Sequence, residues 1–265
     1  MGDWLLNLPV PAMALVVFAA VYLVTVGVFL IVASLAVNDR AKAFKAVSPG
    51  MLPPLGIIFG LLVGFIAVQV WGDFEKAKIA VATEAGALRT VVLLADAFPD
   101  AEKTRIDALI NRHIEEAVNK EWPAMARGKM KLSNLPMALI QELHETLAIT
   151  PTNESQRLAQ SDMMRAVHTA LEARRQRIVV SQSSVGRVKW AGILLQGLCT
   201  LIAIAMVHSD NKLACGIALA LFSTGIALSV LLIAAYSRPF TGEISVGPEL
   251  LQQVIAGEAK PGTNP

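Results

Sequence analysis

Residues 53–72 read PPLGIIFGLLVGFIAVQVWG, an apolar run without a charged side chain. About 20 helical residues cross a hydrocarbon core of roughly 30 Å, so this run is long enough to span a bilayer. Three further uncharged apolar runs occupy residues 11–37, 190–207 and 213–236. Most of the charged residues lie between the second and third runs, in residues 73–189. The pattern predicts an all-α membrane protein with four transmembrane helices and a helical cytosolic domain inserted between spans two and three.

These runs predict the domain organisation. Residues 1–72 would hold transmembrane helices one and two, 73–189 the cytosolic helical domain, 190–236 transmembrane helices three and four, and 237–265 a C-terminal tail. Hydrophobic residues make up 54% of the chain and charged residues 17%, whereas about a quarter of the residues of soluble proteins are charged. The formal net charge of +2 indicates no nucleic-acid partner.

The basic residues near the span ends predict the orientation. Lys and Arg are more frequent in cytoplasmic flanks than in external ones. Four stand on the side of the two short loops, and twice as many on the side of the central domain: Arg40, Lys42, Lys45 and Lys212 against Lys76, Lys78, Arg174, Arg175, Arg177, Arg187, Lys189 and Arg238. We therefore expect a multi-pass plasma-membrane protein whose termini and soluble domain are cytoplasmic.

The central segment has helical rather than strand-like spacing. Residues 74–97 continue from span two without Pro and with a single Gly, Gly86, which predicts one long helix leaving the membrane. A second helix is expected from Asp100, as its N-cap, to about Arg127, with a kink or an end at Pro123. A third should cover residues 134–148, and a fourth should start at Thr150-Pro151-Thr152 and run to about Ser181. The sequence predicts an antiparallel bundle.

A search for chemistry finds no phosphate-binding loop, nucleophile elbow, zinc-binding HExxH or EF-hand pattern. The four histidines are scattered singly. His113 and Glu116 stand three residues apart on a helix, which we interpret as a surface pair rather than as half of a metal site. We expect no enzymatic activity, no metal and no cofactor.

The four apolar runs contain no Asp, Glu, Lys, Arg or His side chain. Ion-coupled transporters usually keep one inside the membrane, because it performs the coupling. The absence of such a side chain favours passive conduction, or no conduction, over active transport. Ion selectivity would then come from backbone dipoles and hydroxyl groups.

Span two carries two distinct faces. Small residues recur at every fourth position, which allows another helix to approach closely: Gly56, Gly60 and Gly64. The opposite face could line a narrow hydrophobic pore gated by dewetting, or could simply meet lipid; it consists of Ile58, Leu62, Phe65 and Gln69.

The tail begins with RPFTGEISVGPELL, residues 238–251. Pro239 should end span four, Gly242 and Gly247 should permit a turned link, and Pro248 should start a short amphipathic helix. We assign these residues to tail anchoring and assembly: Arg238, Pro239, Phe240, Gly242, Pro248 and Glu249.

Several of these strings resemble the bestrophin-like family over residues 50–256: LLVGFIAVQVWGDFEKAKIAVATEAGAL, VNKEWPAMARG, LEARRQRI and the tail signature RPFTGEISVGPELL. The resemblance implies a distant similarity to bestrophins, pentameric anion channels whose second span lines the pore and whose termini are cytoplasmic. It would make Ile58, Leu62 and Phe65 pore-neck residues. Bestrophins of animals carry a dense acidic Ca²⁺ clasp after span four. Here that region offers only Glu243 and Glu249, and since Ca²⁺ takes six to eight oxygen ligands, we expect no Ca²⁺ gating.

The leading hypothesis is a homo-oligomer, pentameric by resemblance, that conducts anions such as chloride passively across a bacterial plasma membrane. Its partners would be the lipid bilayer and anions. The alternative is a non-conducting scaffold or sensor whose helical cytosolic domain binds a protein. Arg174, Arg175 and Arg177 could add positive potential to a cytosolic vestibule, but a solvated face is the simpler interpretation.

Overall fold

The computed structural model describes Leu5, residues 8–37, residues 43, 44 and 46, and residues 49–258. Three of the basic residues used in the charge count, Arg40, Lys42 and Lys45, lie outside the described residues. So do the last seven residues of the tail, which the sequence predicts to be frayed.

Among the described residues, four helices are long and apolar enough to cross a membrane: α1 (Val10–Leu35), α2 (Leu52–Ala95), α7 (Arg187–Val207) and α8 (Lys212–Tyr236). The last three contain their predicted runs, and α1 ends at Leu35, two residues before the end of the first run. A single turn of 3₁₀ helix, Pro49–Met51, leads into α2. The prediction that span two continues as one long helix is confirmed, because α2 extends without a break for 44 residues.

The chain divides into two compact units. The first, here called the membrane unit, comprises Met1–Gly72, Ser184–Arg238 and Gly242–Ile244. The second, here called the helical unit, comprises Asp73–Ser183, Pro239–Thr241 and Ser245–Pro265.

In the membrane unit, α1 packs along α8. The hydroxyl groups of Thr25 and Ser223 form a buried hydrogen bond of 2.6 Å between the two helices, and the Tyr22 hydroxyl lies 2.8 Å from Thr224 Oγ1. Hydroxyls that satisfy one another across a helix pair are typical of membrane interfaces. These hydrogen bonds join α1 to α8.

The described residues of the helical unit are helical apart from their connections. After the second half of α2 come α3 (Asp100–Glu116), α4 (Trp122–Ala126), α5 (Met137–Ala148), α6 (Glu154–Ser181) and α9 (Glu249–Glu258). Their common core contains Leu88 of α2, Ile110 of α3, Leu139 of α5, Met163 of α6 and Leu251 of α9, all fully buried.

The interruption expected at Pro123 is present, but it takes the form of a wider helical turn. Residues Ala117–Glu121 form a π-helical segment that joins α3 to α4. Such a segment removes the regular hydrogen bond that Pro123, which has no N–H, cannot make. The predicted helix start at Asp100 is confirmed, because Asp100 is the first helical residue; the N-cap position belongs to Pro99 instead of Asp100. Its carboxylate still suits the positive end of the helix dipole.

The start of α6 is fixed by a side chain. Asn153 is its N-cap, and the Asn153 side chain accepts a hydrogen bond of 2.8 Å from the backbone N–H of Gln156. The sequence places this start three residues too early, at Thr150-Pro151-Thr152. The third helix likewise begins at Met137 rather than at residue 134. Ser181 ends α6 as predicted.

Candidate functional site

The membrane half of α2 has one buried face and one exposed face within the membrane unit. Phe59, Ile66 and Val70 are buried. Ile58 and Phe65, two residues of the predicted pore face, are exposed over 53% and 72% of their surface. Large apolar side chains at that exposure must meet lipid, another copy of the chain or a pore.

The other two residues of that predicted face are partly enclosed. Leu62 packs against the core of the membrane unit and lies beside Gly192 of α7. Gln69 accepts a hydrogen bond from the ammonium group of Lys189, which belongs to the first turn of α7. The four residues therefore lie where the exposed side of α2 adjoins α7.

The glycine stripe of α2 has open space beside it. A Cβ atom added at Gly56, Gly60 or Gly64 would have no neighbouring atom of the described residues within 4 Å. Gly197 of α7 differs, because there an added Cβ would meet Ile226 at 3.3 Å and Phe59 at 3.5 Å. Close helix packing inside the membrane unit therefore uses Gly197, and the stripe on α2 remains available.

The helical half of α2 contributes to a buried network of charged side chains. Arg177 of α6 donates to both carboxylate oxygens of Glu84, at 2.7 and 3.0 Å. It also donates to Glu121 of the π-helical segment at 2.8 Å. Arg174 donates to the other Glu121 oxygen at 2.9 Å, and His113 Nε2 lies 3.0 Å from Glu84.

Every ion of this network has a partner. Arg177 and Glu84 are fully buried, and Arg174 is 5% exposed. Burial acts to lower the pKa of Arg177, but the Glu84 and Glu121 carboxylates outweigh it and raise the pKa above its usual value. A buried pair of this kind is costly to break, because removing one ion leaves the other without compensation.

Two predictions about these residues are wrong. Arg174 and Arg177 do not form a solvated face or line a vestibule, because the network buries both; only Arg175 is exposed, beside Glu172. His113 is also buried and contacts Glu84, so it is not half of a surface pair with Glu116. In each case the partner is remote in sequence.

Trp122 joins this network to the tail. The Arg177 guanidinium lies over the indole ring, 4.3 Å from its centroid, a distance typical of a cation–π contact. The Trp122 indole N–H donates to the Val246 carbonyl at 3.1 Å, and the Phe240 ring meets the indole edge-on at 6.0 Å.

The tail residues that the sequence singled out lie in two groups. Pro239 and Phe240 are buried in the helical unit, and the hydroxyl of the next residue, Thr241, donates to the Ala126 carbonyl at 2.8 Å. Gly242 has a φ of 88°, a value that favours glycine. It follows Arg238 by four residues and marks the turn of the link.

The two acids of the tail have separate surroundings. Glu243 accepts a hydrogen bond of 2.8 Å from the Val10 N–H and so satisfies the start of α1. Glu249, directly after Pro248, is the first residue of α9 and is exposed, and its carboxylate lies against Gly247. In the part of the chain that the structure describes, no group of three His, Cys, Asp or Glu side chains could hold a metal ion.

A separate buried acid lies on α5. Glu142 is fully buried. Its Oε1 accepts from Thr146 at 3.1 Å, and its Oε2 has no hydrogen-bond partner among the described residues. Burial raises the pKa of Glu142 to about 7, and the negative charges of Glu145 and Asp107 add to the rise.

Sequence reasoning missed three polar residues: Glu84, Glu142 and Lys189. The only signal for Glu84 is its position on the face of α2 that is otherwise Ala, Val and Leu. Glu142 is likewise embedded in an apolar helix face. Nothing in the sequence indicates that Lys189 contacts Gln69, because the two are 120 residues apart.

These features define a class of protein: an all-helical membrane protein with four candidate spans, the second of which continues into a helical unit with a buried charge network. The sequence matches the family model of the bestrophin-like domain over residues 19–251. The chain therefore belongs to the bestrophin-like family. No curated protein matches the sequence significantly.

Solved structures share the fold. A mutated form of a bacterial bestrophin homologue from Klebsiella pneumoniae superposes with a TM-score of 0.67 at 12% identity, covering 91% of this chain and 99% of the other. A membrane protein with a leucine-to-alanine substitution gives a TM-score of 0.68 at 12% identity, with the same coverage. Another, with a proline-to-alanine substitution, gives 0.67 at 13% identity, covering 89% of this chain and 96% of the other.

Proposed function

We propose that this protein is an oligomeric ion channel that conducts anions passively through a pore lined by α2. The observation that carries the proposal is the exposed arc of α2, where Ile58 and Phe65 extend from an uncharged span and leave more than half of their surface uncovered. Membership of the bestrophin-like family supports the same assignment.

The proposed pore forms between copies of the chain. Helix α2 presents Phe65 on one side and an open glycine stripe on another. In the proposed assembly the Phe65 side faces the pore, and the glycine stripe faces a neighbouring copy. Close approach at Gly56, Gly60 and Gly64 would pack α2 against the adjacent copy. By resemblance to bestrophins we propose five copies.

The proposed chemistry is passive. The apolar parts of the four spans contain no Asp, Glu, Lys, Arg or His side chain that could couple proton or cation movement to transport. Apolar side chains at Ile58, Leu62 and Phe65 would form a narrow neck that conducts when it is wetted. Chloride is the anion that we propose.

The proposed orientation places the helical unit and both termini in the cytoplasm of a bacterial cell. Basic residues at the α7 start, Arg187 and Lys189, support it, since Lys and Arg favour the cytoplasmic flank. The proposed domains are residues 1–72 and 190–236 in the membrane, 73–189 in the cytoplasm, and 237–265 as a tail.

Reversal potential under a KCl gradient tests this function. Purified oligomeric protein in planar bilayers should give a reversal near the Cl⁻ equilibrium potential. A reversal near the K⁺ potential would contradict anion selectivity, and absence of current from intact oligomers would contradict conduction.

Phe65→Ala tests the pore face. Removing the ring should widen the proposed neck and raise the single-channel conductance. The matched control is Leu221→Ala on α8, because Leu221 is exposed to the same extent, 72%, on another span. An unchanged conductance in Phe65→Ala, or an equal rise in the control, would remove this face from the pore.

A second candidate function, a protein-binding scaffold, is favoured by an exposed apolar loop in the helical unit. Leu132, Leu135 and Met137 are 46%, 66% and 59% exposed. Grouped apolar residues of this kind often mark a binding surface. Under this alternative, Leu135→Ser should abolish capture of a partner, and wild-type oligomers should carry no current.

A further inference from the structure

A cationic side chain touches the polar end of the proposed pore face. Lys189, in the first turn of α7, donates a hydrogen bond to the side-chain oxygen of Gln69 on α2. Gln69 is the last of the four residues along that face, after Ile58, Leu62 and Phe65. The contact thus joins a positive charge from one span to the second span, which has no charge of its own between Leu52 and Gly72.

The charge of Lys189 is not neutralised by its contact. Gln69 is a neutral amide, and Lys189 forms no ion pair with any described residue. The side chain is exposed. An exposed, uncompensated ammonium group creates a positive local potential that concentrates anions.

Helix stability gives no reason for a lysine at this position. The amino end of a helix carries partial positive charge and favours acidic side chains, yet the first turn of α7 contains Arg187 and Lys189 and no acid. The preference of Lys and Arg for the cytoplasmic flank accounts for basic residues at this end of α7, but not for the contact of one of them with the polar end of the proposed pore face.

We infer that Lys189, held at Gln69, is a determinant of anion selectivity at this end of the pore. The inference rests on the proposed function and extends it, because selectivity then depends on a side-chain charge from α7 rather than only on backbone dipoles and hydroxyls. Lys189 acts on the passing ion electrostatically. Gln69 is a positioning residue, because it acts only by holding the ammonium group of Lys189 in place.

The experiment measures the ratio of Cl⁻ to K⁺ permeability from reversal potentials of full-length oligomers in planar bilayers. Wild type is compared with Lys189→Gln, Lys189→Glu and Lys189→Arg. The matched control is Arg187→Gln, which removes the same charge from the same helical turn at another exposed residue. Gel filtration verifies that each variant keeps the wild-type oligomer.

We expect Lys189→Gln to lower the Cl⁻ to K⁺ permeability ratio at least about threefold, the size of effect expected when a unit charge beside an ion path is removed from a largely aqueous pore. Lys189→Glu should lower it further, Lys189→Arg should preserve it, and raised ionic strength should shrink the differences. Arg187→Gln should change the ratio much less.

Two results would overturn the inference while leaving the channel intact: an anion-selective wild type whose ratio is unchanged in Lys189→Glu, or an equal loss in Arg187→Gln. An equal loss in Arg187→Gln would indicate that any positive charge at this helix end has the same effect, and that the position of Lys189 at Gln69 does not matter. A wild type that carries no current would reject the proposed function, and the inference with it.

Discussion

Neutralising Glu142 should make the protein more stable in a strongly pH-dependent way. Glu142 is fully buried, and one of its carboxylate oxygens has no hydrogen-bond partner among the described residues. Ionising it in that site is unfavourable, which is why its pKa is raised from 4.5 to about 7. Glu142→Gln keeps the shape of the side chain and removes the ionisation.

The sign of the effect follows from proton binding. Below pH 4.5 the carboxyl is protonated in both the folded and the unfolded chain, so it costs nothing. Between pH 4.5 and about 7 the unfolded chain ionises while the folded chain keeps its proton, and folding stability falls as the pH rises. At about 1.4 kcal/mol for each pH unit, the loss approaches roughly 3 kcal/mol above pH 7.

The measurement is thermal unfolding of the full-length protein in detergent, followed by far-UV circular dichroism at pH 5 and pH 8. The stability of Glu142→Gln relative to wild type should rise by several degrees in melting temperature between the two pH values, since each kcal/mol moves it by roughly 2–4 °C. An amide NH₂ and a protonated carboxyl both leave a donor at the unpartnered position. The change with pH is therefore more informative than the absolute difference.

The control is Glu172→Gln, which removes an acid that is 52% exposed and pairs with Arg175 on the surface. Exposed pairs contribute little to stability, so this variant should follow wild type at both pH values. A Glu142→Gln variant whose advantage over wild type is equal at pH 5 and pH 8 would refute the reasoning, since it would mean that Glu142 ionises freely.

Two further predictions concern the buried network. Arg177→Met leaves Glu84 and Glu121 buried without their cation, so it should lower the unfolding free energy by about 3–5 kcal/mol. The control Arg175→Met removes an exposed cation and should lower it by less than about 1 kcal/mol. Equal losses of unfolding free energy in the two variants, measured from denaturation curves, would count against the network. Trp122→Phe keeps an aromatic ring but removes the donor to a backbone carbonyl, at a cost of about 1 kcal/mol. No loss of unfolding free energy in that variant would show that the tail does not depend on this bond.

Sequence alone predicted the spans and most helix limits, because both depend on local features. An apolar run of the length of a bilayer has few alternatives, and the prolines near residues 99, 123 and 151 interrupt helices wherever they occur. The N-cap error at Asp100 is a shift of one residue. At Pro123 the sequence indicated that the helix is disturbed, but not that a π-helical turn accommodates the disturbance.

The buried charges could not be predicted in the same way. Arg174 and Arg177 stand in LEARRQRI, which by composition is a typical solvated segment. The partner of Arg177, Glu84, lies 93 residues away. Only the tertiary packing of α6 on α2 shows that these groups meet, and local charge patterns contain no trace of that packing. The pore-face residues remain predictions, since their environment between copies of the chain depends on assembly.

Glu84 also bears on which face of the helical half of α2 is buried. Ala77, Glu84 and Leu88 are all buried, at spacings of seven and four residues that keep them on one side of a helix. Buried ion pairs contribute little net stability, but they can fix a register. The network that holds Glu84 therefore helps to determine which face of this half of α2 packs into the core of the helical unit.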